Sequence, residues 1–253
     1  MPESNPVRSG RVRVGCAGWS LRAEHVAHFP AEGTHLARYA TVFPAVEINS
    51  SFYRPHRPAT YARWAASVPP DFRFSVKVPR AVTHERRLAG ANDLLDRFLS
   101  EATQLGGKLG PLLVQLPPSL PFAPDVADGF FAALRDRFGG DVALEPRHRS
   151  WFAPAADRIV TKYHVARVAA DPPVVPAAGE PGGRGDLIYY RLHGSPEMYR
   201  SAYADEYVGA LAETLARAAR SAAVWCIFDN TAEGAATANA LDALGRLGEV
   251  RGP

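Results

Sequence analysis

The sequence predicts a single α/β domain with a TIM-barrel-like (β/α)8 fold. Eight short β-rich runs alternate with helix-period stretches from one end of the chain to the other, and no linker divides them. The chain has 253 residues, of which 47% are apolar and 22% charged, so it can bury the core of one such domain. We expect the domain to span residues 11–248, between a disordered N-terminal tail at 1–10 and a C-terminal tail at 249–253.

The strands are predicted from runs rich in β-branched and aromatic residues, each bounded by residues typical of turns. In chain order, they span residues 11–19, 45–53, 73–80, 111–119, 142–148, 164–171, 187–195 and 223–231. Strands that are each followed by a crossover segment fit a closed barrel better than an open sheet.

Helices are predicted between most of these strands. They span residues 34–43, 59–68, 92–106, 125–139, 205–220 and 234–247. Pro58 leads into the second helix, and the third and fourth end at Gly106 and Gly139, where helix C-caps favour glycine. The sixth helix of the barrel pattern is replaced by an irregular loop, because residues 172–185 are too rich in proline and glycine. This loop suits a mobile lid as well as a passive connection.

Polar side chains gather at one end of the predicted strands. Side chains alternate along a strand, so the branched apolar residues face the helices and the residues between them face the barrel axis. The polar residues that face inward are Glu47, Asn49, Lys77, Gln115, Glu145, Arg147, Arg191 and His193. Because barrels place their active sites at the carboxyl ends of the strands, we expect a functional site there. The alternative is an internal salt-bridge network that only closes the barrel.

The chemistry of this predicted site leaves two assignments open. Lys77 is either a Schiff-base lysine or the ion-pair partner of Glu47. A divalent metal is an alternative cofactor, since carboxylates and imidazoles are suitable ligands. Its ligands would come from Glu47, Glu145, His148, Asp171, His193 and Asp229. We predict no metal site, because nearby basic side chains neutralise the acids and the sequence has no HxH or HExxH spacing. We expect no other cofactor.

Positive charge surrounds the same strand ends and favours a small anionic ligand, although the formal net charge of the chain is only +3. The basic residues at these ends are Lys77, Arg80, Arg147, Arg149 and Arg191. The last predicted helix begins near Asn230, Thr231 and Gly234, where backbone N–H groups can hold a phosphate. Ordinary helix capping by Asn230 or Thr231 is the alternative.

The two cysteines and the N-terminal segment predict a cytoplasmic location. Cys16 and Cys226 lie far apart in sequence within apolar runs, so we expect them to be reduced and buried. The segment "MPESNPVRSG" lacks the apolar core of a signal peptide, and no apolar run reaches membrane-spanning length. No membrane partner is expected.

Seven blocks of the sequence resemble the successive motifs of the YecE-like proteins, the family of domain of unknown function 72. In chain order, the blocks are "VGCAGW", "VEINSSFY", "FSVKVPRAVTHERRL", "LGPLLVQLPPS", "EPRHRSW", "YYRLHG" and "FDNTAEGAATANA". They run across nearly the whole chain. The resemblance implies a TIM-barrel-like fold and does not assign an activity.

The resemblance also implies a set of site positions. The residues at these positions are Glu47, Asn49, Lys77, His84, Gln115, Glu145, Arg147, His148, Asp171, Arg191, His193 and Asn230. Three positions depart from the family pattern. "VGCAG", which contains Cys16, replaces the usual Gly-Thr-Ser-Gly, Pro146 replaces an aromatic residue, and Asp229 replaces an asparagine. These departures either alter the choice of ligand or mark a member that has diverged.

Together these features predict an enzyme of hydrolase, lyase or isomerase type that acts on a small anionic or polyol substrate, such as a sugar phosphate or a nucleotide-like compound. The expected acid and base residues are Glu47, Lys77, Glu145 and His193. The expected substrate-binding residues are Asn49, His84, Gln115, Arg147, His148, Asp171, Arg191 and Asn230, with Arg147 and Arg191 holding the anion. The alternatives are a metal-dependent phosphodiester hydrolase and a non-catalytic protein that binds a nucleotide or nucleic acid.

Overall fold

The fold is a mixed α/β arrangement built on two largely parallel sheets. A computed structural model of the chain describes the backbone of residues 12–251 and the side chains of residues 12–248. The strands are β1 (Val12–Cys16), β2 (Ala45–Ile48), β3 (Arg73–Lys77), β4 (Leu109–Gln115), β5 (Val142–Glu145), β6 (Ala166–Arg167), β7 (Ala169–Asp171), β8 (Gly182–Gly183), β9 (Leu187–Leu192) and β10 (Ala223–Phe228). The α-helices are α1 (His35–Tyr39), α2 (Pro58–Ala66), α3 (Asn92–Ala102), α4 (Pro124–Arg137), α5 (Pro154–Lys162), α6 (Asp205–Ala218) and α7 (Ala235–Arg251).

Shorter helical segments connect these elements. Five are 3-10 helices, at Ala23–His28, Ser50–Phe52, Thr103–Lys108, Arg149–Phe152 and Pro176–Gly179, and Ala81–Glu85 forms a π-helix. Three of the α-helices begin with proline, at Pro58, Pro124 and Pro154. Proline suits this position because the first N–H groups of a helix have no partner within the helix.

One sheet contains β1, β10, β9 and β7 in that order, and the other contains β2, β3, β4, β5, β6 and β8. Every pairing is parallel except that of β6 with β8. Parallel neighbours need a crossover connection, and the helices between successive strands provide it. The carboxyl ends of the parallel strands in each sheet therefore lie at one edge.

The predicted strand at 164–171 divides into two strands at Val168. β6 pairs with β5 on one side, while β7 pairs with β9 of the other sheet. One short segment of chain therefore takes part in both sheets.

Tyr39 links β1, the edge strand of one sheet, to β2, the edge strand of the other. Its hydroxyl accepts a hydrogen bond from the Cys16 backbone N–H at 2.8 Å and donates one to the Ala45 carbonyl at 3.1 Å. Gly15 permits this close approach, because a Cβ atom there would overlap the Ala45 carbonyl oxygen.

The apolar side chains form two separate clusters, as the alternation along the strands predicts. Val46, Ile48, Phe74 and Val76 belong to the larger cluster, together with apolar side chains of the helices. The smaller cluster contains alternate residues of strands from both sheets. Its buried members are Ala45, Leu113, Ala143, Ala166, Val168, Leu187, Tyr189, Trp225 and Ile227. Both sheets therefore share one interior, and the polar residues next along each strand lie at the edge of that interior.

The segment predicted to lack a helix forms no α-helix in the structure. Between β7 and β9, the chain forms the 3-10 helix Pro176–Gly179 and the two-residue strand β8. β8 pairs with β6, and the Arg184 N–H donates to the Val165 carbonyl at 3.0 Å. These bonds hold the segment against the sheet, which favours the passive connection over the lid.

Other predictions are confirmed in part. The buried residues Cys16 and Cys226 are free thiols, as expected. α7 continues through Arg251, beyond the predicted helix end at residue 247. The predicted tail at 1–10 lies outside the described residues. Between residues 12 and 251, no helix combines the length and apolar character that a membrane crossing requires.

Candidate functional site

Arg191 lies at the centre of a buried cluster of ionisable side chains. The side chain follows Tyr189 inward along β9, and none of its surface is exposed. The guanidinium donates to Glu47 at 2.9 and 2.6 Å and to Glu145 at 2.7 Å, and one of its nitrogens lies 3.0 Å from Asp229 Oδ2. Three carboxylates from β2, β5 and the end of β10 thus share one cation. Such a planar, permanently charged group is well suited to bridge several carboxylates.

His193 joins two of the same carboxylates. Its Nδ1 lies 3.0 Å from Asp229 Oδ2, and its Nε2 lies 3.0 Å from Glu145 Oε1. Burial lowers the pKa of His193, but the negative charge of Glu145 and the hydrogen bond to Asp229 outweigh burial and raise the pKa above its ordinary value. An imidazolium donates from both nitrogens, so this geometry favours the protonated form.

The pKa values of the carboxylates shift in the opposite direction, downward. Burial pushes the pKa of Glu145 upward, yet the charges of Arg191, His193 and Arg147 hold that pKa well below its ordinary value. For Asp229, burial also raises the pKa, and Arg191 and His193 lower it by more. Both groups are therefore ionised at neutral pH.

Tyr189 and Ser75 lie on the inner side of the cluster. The Tyr189 hydroxyl lies 3.0 Å from Glu47 Oε2 and 2.9 Å from Ser75 Oγ, and Ser75 donates to the Pro111 carbonyl at 3.0 Å. With Arg191 against both of its oxygens, Glu47 is fully enclosed by protein. Glu47 was an expected acid or base, but it has no exposed surface from which to reach a substrate.

The wall formed by β2, β3 and β4 differs, because its polar side chains have no hydrogen-bond partners among the described residues. Lys77 and Gln115 end β3 and β4 and are 5% and 7% exposed. Asn49 follows Ile48, which pairs with Val76, so Asn49 lies beside Lys77. Within residues 12–248, none of these three side chains makes a hydrogen bond to protein. Because buried polar groups normally have hydrogen-bond partners, we name Asn49, Lys77 and Gln115 the open wall.

Lys77 lies against an aromatic ring rather than a carboxylate. Its Nζ is 4.1 Å from the centroid of the Phe52 ring, and the His84 ring packs edge-on against Phe52 at 4.9 Å. The described residues contain no ion pair of Lys77 with Glu47, which was the alternative role expected for this lysine. His84 therefore lies on the Lys77 side of the site.

Arg147 and Tyr199 lie on the solvent side of the buried ionisable cluster. Arg147 donates to Glu145 at 2.9 Å and to the Tyr199 hydroxyl at 2.7 Å, and its other terminal nitrogen lies 3.3 Å from His193 Nε2. The Tyr199 ring packs edge-on against His193, at 5.6 Å between ring centroids. The segment that covers the ionisable cluster is thus the loop between β9 and α6, and not residues 172–185.

Four predicted substrate-binding residues take other positions. Arg191 is buried and bound to the three carboxylates, so it positions these acids and cannot contact an anion. His148 bonds to Ser150, as the cap of a 3-10 helix. The remaining two bond to residues around α6 and α7: Asp171 accepts from Tyr203, and Asn230 donates to Ser201 and Asn239.

The Asp171 side chain points away from the ionisable cluster because of its position in β7. Ala170 pairs with Arg191 and Asp171 with Leu192, so Asp171 shares the outward face of Leu192. The start of α7 lines a separate cleft with Gly18, Arg22 and Thr231, outside the ionisable cluster.

Asp229 is the residue that the predicted acid–base set lacks. The alternation on β10 places Trp225 and Ile227 in the inner cluster, and the same alternation directs Asp229 inward. That signal was present in the sequence. Phe52 ends the 3-10 helix Ser50–Phe52 and Tyr199 lies on the loop between β9 and α6, so strand alternation does not place either of them.

No metal-ligand set is found among the described residues. In this part of the chain, no group of three or more His, Cys, Asp or Glu side chains has the arrangement needed to hold a metal ion. The three acids of the cluster instead face Arg191. The metal-dependent alternative therefore has no support from the geometry.

The sequence profile of the family "Protein of unknown function DUF72" matches residues 13–252. The chain belongs to the DUF72 family. Two solved DUF72 proteins have the same fold. The protein from Thermotoga maritima is 25% identical with a TM-score of 0.78, and the match covers 94% of this chain and 100% of that one. The protein from Enterococcus faecalis is 22% identical, also with a TM-score of 0.78, over 94% and 96% of the two chains.

Curated DUF72 relatives match over shorter stretches. The UPF0759 protein YecE of Escherichia coli K12 is 32% identical over 122 residues, which are 47% of this chain and 44% of YecE. The UPF0759 protein YunF of Bacillus subtilis is 30% identical over 156 residues, or 56% of this chain and 53% of YunF. These matches span about half the length of each relative. The family name confirms the resemblance predicted from the seven sequence blocks.

Proposed function

We propose that this DUF72 protein is an enzyme that acts on a small anionic or polyol substrate by general acid–base chemistry at the carboxyl ends of its strands. The open wall carries the proposal. Three polar side chains that are wholly or partly buried make no hydrogen bond within residues 12–248, and they lie beside a cluster whose own charges are paired. A ligand with hydroxyl, carbonyl or phosphate groups would supply the missing partners.

We make a matching proposal for the fold. We propose that the two sheets form one (β/α)8 barrel, with the 166–171 segment at one junction and Tyr39 at the other. The shared inner cluster of alternate side chains supports this closure. A barrel would place the open wall and the ionisable cluster around one mouth.

The charge balance favours an anionic substrate. With His193 protonated, the positive charges of Arg191, Arg147 and His193 equal in number the negative charges of Glu47, Glu145 and Asp229. Lys77 then adds a positive charge that no carboxylate offsets in an ion pair. An anion bound beside Lys77 would restore neutrality, and His84 and Arg147 lie near enough to affect it.

His193 and Glu145 would move the proton. The His193 imidazolium is the proton donor, and Asp229 keeps its ring in position. Glu145, hydrogen-bonded to His193 Nε2, is the base that holds the returning proton. Because the cluster is buried beneath Tyr199, the substrate must enter as the loop between β9 and α6 moves aside.

A thermal-shift experiment tests the proposal with matched pairs of compounds. Ribose 5-phosphate, glycerol 3-phosphate and AMP are compared with ribose, glycerol and adenosine. We expect at least one phosphorylated compound to raise Tm by about 5 to 10 °C at a concentration near one hundred times its Kd. The Gln115→Met variant should lose most of this shift, since the substitution removes an amide of the open wall.

The control is Gln104→Met, which makes the same change at an exposed position. It should keep the full shift. The proposal fails if no phosphorylated compound stabilises the protein, or if Gln115→Met responds as the wild type does. A shift produced only by single-stranded nucleic acid, and lost at high salt, would favour the nucleic-acid-binding alternative.

A further inference from the structure

Lys77 stands apart from the other lysines of the chain. The chain has three lysines. Lys108 donates to two backbone carbonyl oxygens at 2.6 and 2.5 Å, and Lys162 donates to Asp128 at 2.6 Å. The Lys77 amine makes no hydrogen bond within residues 12–248 and has only the Phe52 ring, at 4.1 Å, as its partner. An ammonium group has three N–H donors, so the charged form of Lys77 is poorly satisfied.

The ionisable cluster does not require Lys77 as a counter-ion. Glu47 and Asp229 each face Arg191, and Glu145 faces Arg191, Arg147 and His193. A buried lysine kept only for charge balance would be expected to contact one of these carboxylates. The amine of Lys77 lies instead over the Phe52 ring, at the end of β3 and beside Asn49.

The surroundings of Lys77 also increase the fraction of its amine that is neutral. Burial, and then the positive charge of Arg191, lower the pKa of Lys77 to about 8. At pH 7, about a tenth of this amine is then neutral, against fewer than about one in a thousand for an ordinary lysine. Only the neutral amine has the lone pair that attacks an electrophile.

We propose that Lys77 is a nucleophile that forms an imine with a small aldehyde, ketone or 2-oxo acid. The inference rests on the proposed function, because it names carbonyl compounds as the substrate class of the same site. Asn49, which follows β2, and Gln115, which ends β4, lie on either side of β3 and provide amide groups for the other oxygens of such a substrate. The positive charge of Arg147 suits a carboxylate or phosphate on it.

Imine formation needs no oxidant and no cofactor. The Lys77 nitrogen bonds to the carbonyl carbon, the π electrons move to oxygen, and a proton passes from nitrogen to that oxygen to give a carbinolamine. The hydroxyl then takes a proton from solvent and leaves as water, and the nitrogen lone pair forms the C=N bond. The product is a protonated imine.

Reductive trapping tests this step on the wild-type protein. The protein is incubated at pH 7 with glyoxylate or glycolaldehyde and sodium cyanoborohydride, which reduces the imine to a stable secondary amine. Intact mass and peptide mapping then locate the adduct. We expect Lys77 to be modified on the order of a hundredfold faster than Lys162, because of the difference in neutral amine. Anionic glyoxylate should modify Lys77 faster than neutral glycolaldehyde does.

Lys77→Arg keeps the charge but cannot form an imine, so it should abolish the fast adduct, while Lys162→Arg should leave it unchanged. The wild-type peptide map decides the matter even if Lys77→Arg does not fold. Equal labelling of the three lysines, or labelling that spares Lys77, overturns the inference. If Lys77 is spared while a phosphorylated compound still stabilises the protein through Gln115, the proposed function stands and only the imine is wrong.

Discussion

Replacing Arg191 by methionine is expected to destabilise the protein by about 3 to 5 kcal/mol at pH 7, because it leaves three buried carboxylates without their shared cation. Methionine has a similar length and no charge. Urea unfolding measures the change. The difference from the wild type should shrink at pH 4, where the carboxylates of the variant take up protons and lose their mutual repulsion.

Lys162→Met is the matched control. Its ion pair with Asp128 has side chains that are 57% and 42% exposed, so its loss should change the stability little. Arg191→Lys should be intermediate, since a lysine retains the charge but cannot bridge three acids. A loss below about 1 kcal/mol for Arg191→Met would show that Arg191 is not the centre of a buried network.

Glu145→Gln is expected to cost about 3 kcal/mol at pH 7, because the isosteric amide loses its charge against Arg191, Arg147 and His193. The pKa of Glu145 is lower in the folded state than in the unfolded state. Its contribution to stability is therefore complete above the unfolded value of about 4.3 and is lost as the pH falls through the folded pKa. The effect of the substitution should decrease in acid.

Urea unfolding at pH 7 and pH 3 checks this dependence. Glu85→Gln provides the control, because Glu85 pairs with Arg80 at the surface and should contribute little at either pH. A cost for Glu145→Gln that is the same at both pH values would contradict an ionised Glu145. Once a substrate is known, this variant should also lower turnover by about 10² to 10⁴ while it retains binding.

Strand alternation predicts a large part of the cluster from sequence. Glu47, Lys77, Glu145, Arg191 and His193 follow alternating apolar residues that identify the outward face, and the structure brings these residues to one end of the interior. The rule depends only on the period of a β-strand, so it holds without knowledge of the tertiary structure. Applied to β10, the same rule identifies Asp229.

The roles of these residues could not be predicted in the same way. Whether Arg191 binds a substrate or its own neighbours depends on distances between strands that are far apart in sequence. The sequence suggests a pair between Lys77 and Glu47, whereas Arg191 and Tyr189 enclose that carboxylate. Family resemblance suggested Asp171, whose motif position carries no information about the direction of its side chain.

The protonation state of His193 is the most direct test of the buried acid–base cluster. Nitrogen NMR of labelled protein resolves the imidazole signals, and a His193→Gln variant assigns them among the eight histidines. We expect both His193 nitrogens to carry protons at pH 6.5 and the ring to titrate only above this ordinary pKa, since Glu145 and Asp229 accept from both nitrogens. A neutral ring at pH 6.5, or a pKa below it, would contradict the buried acid–base cluster on which the proposed function depends.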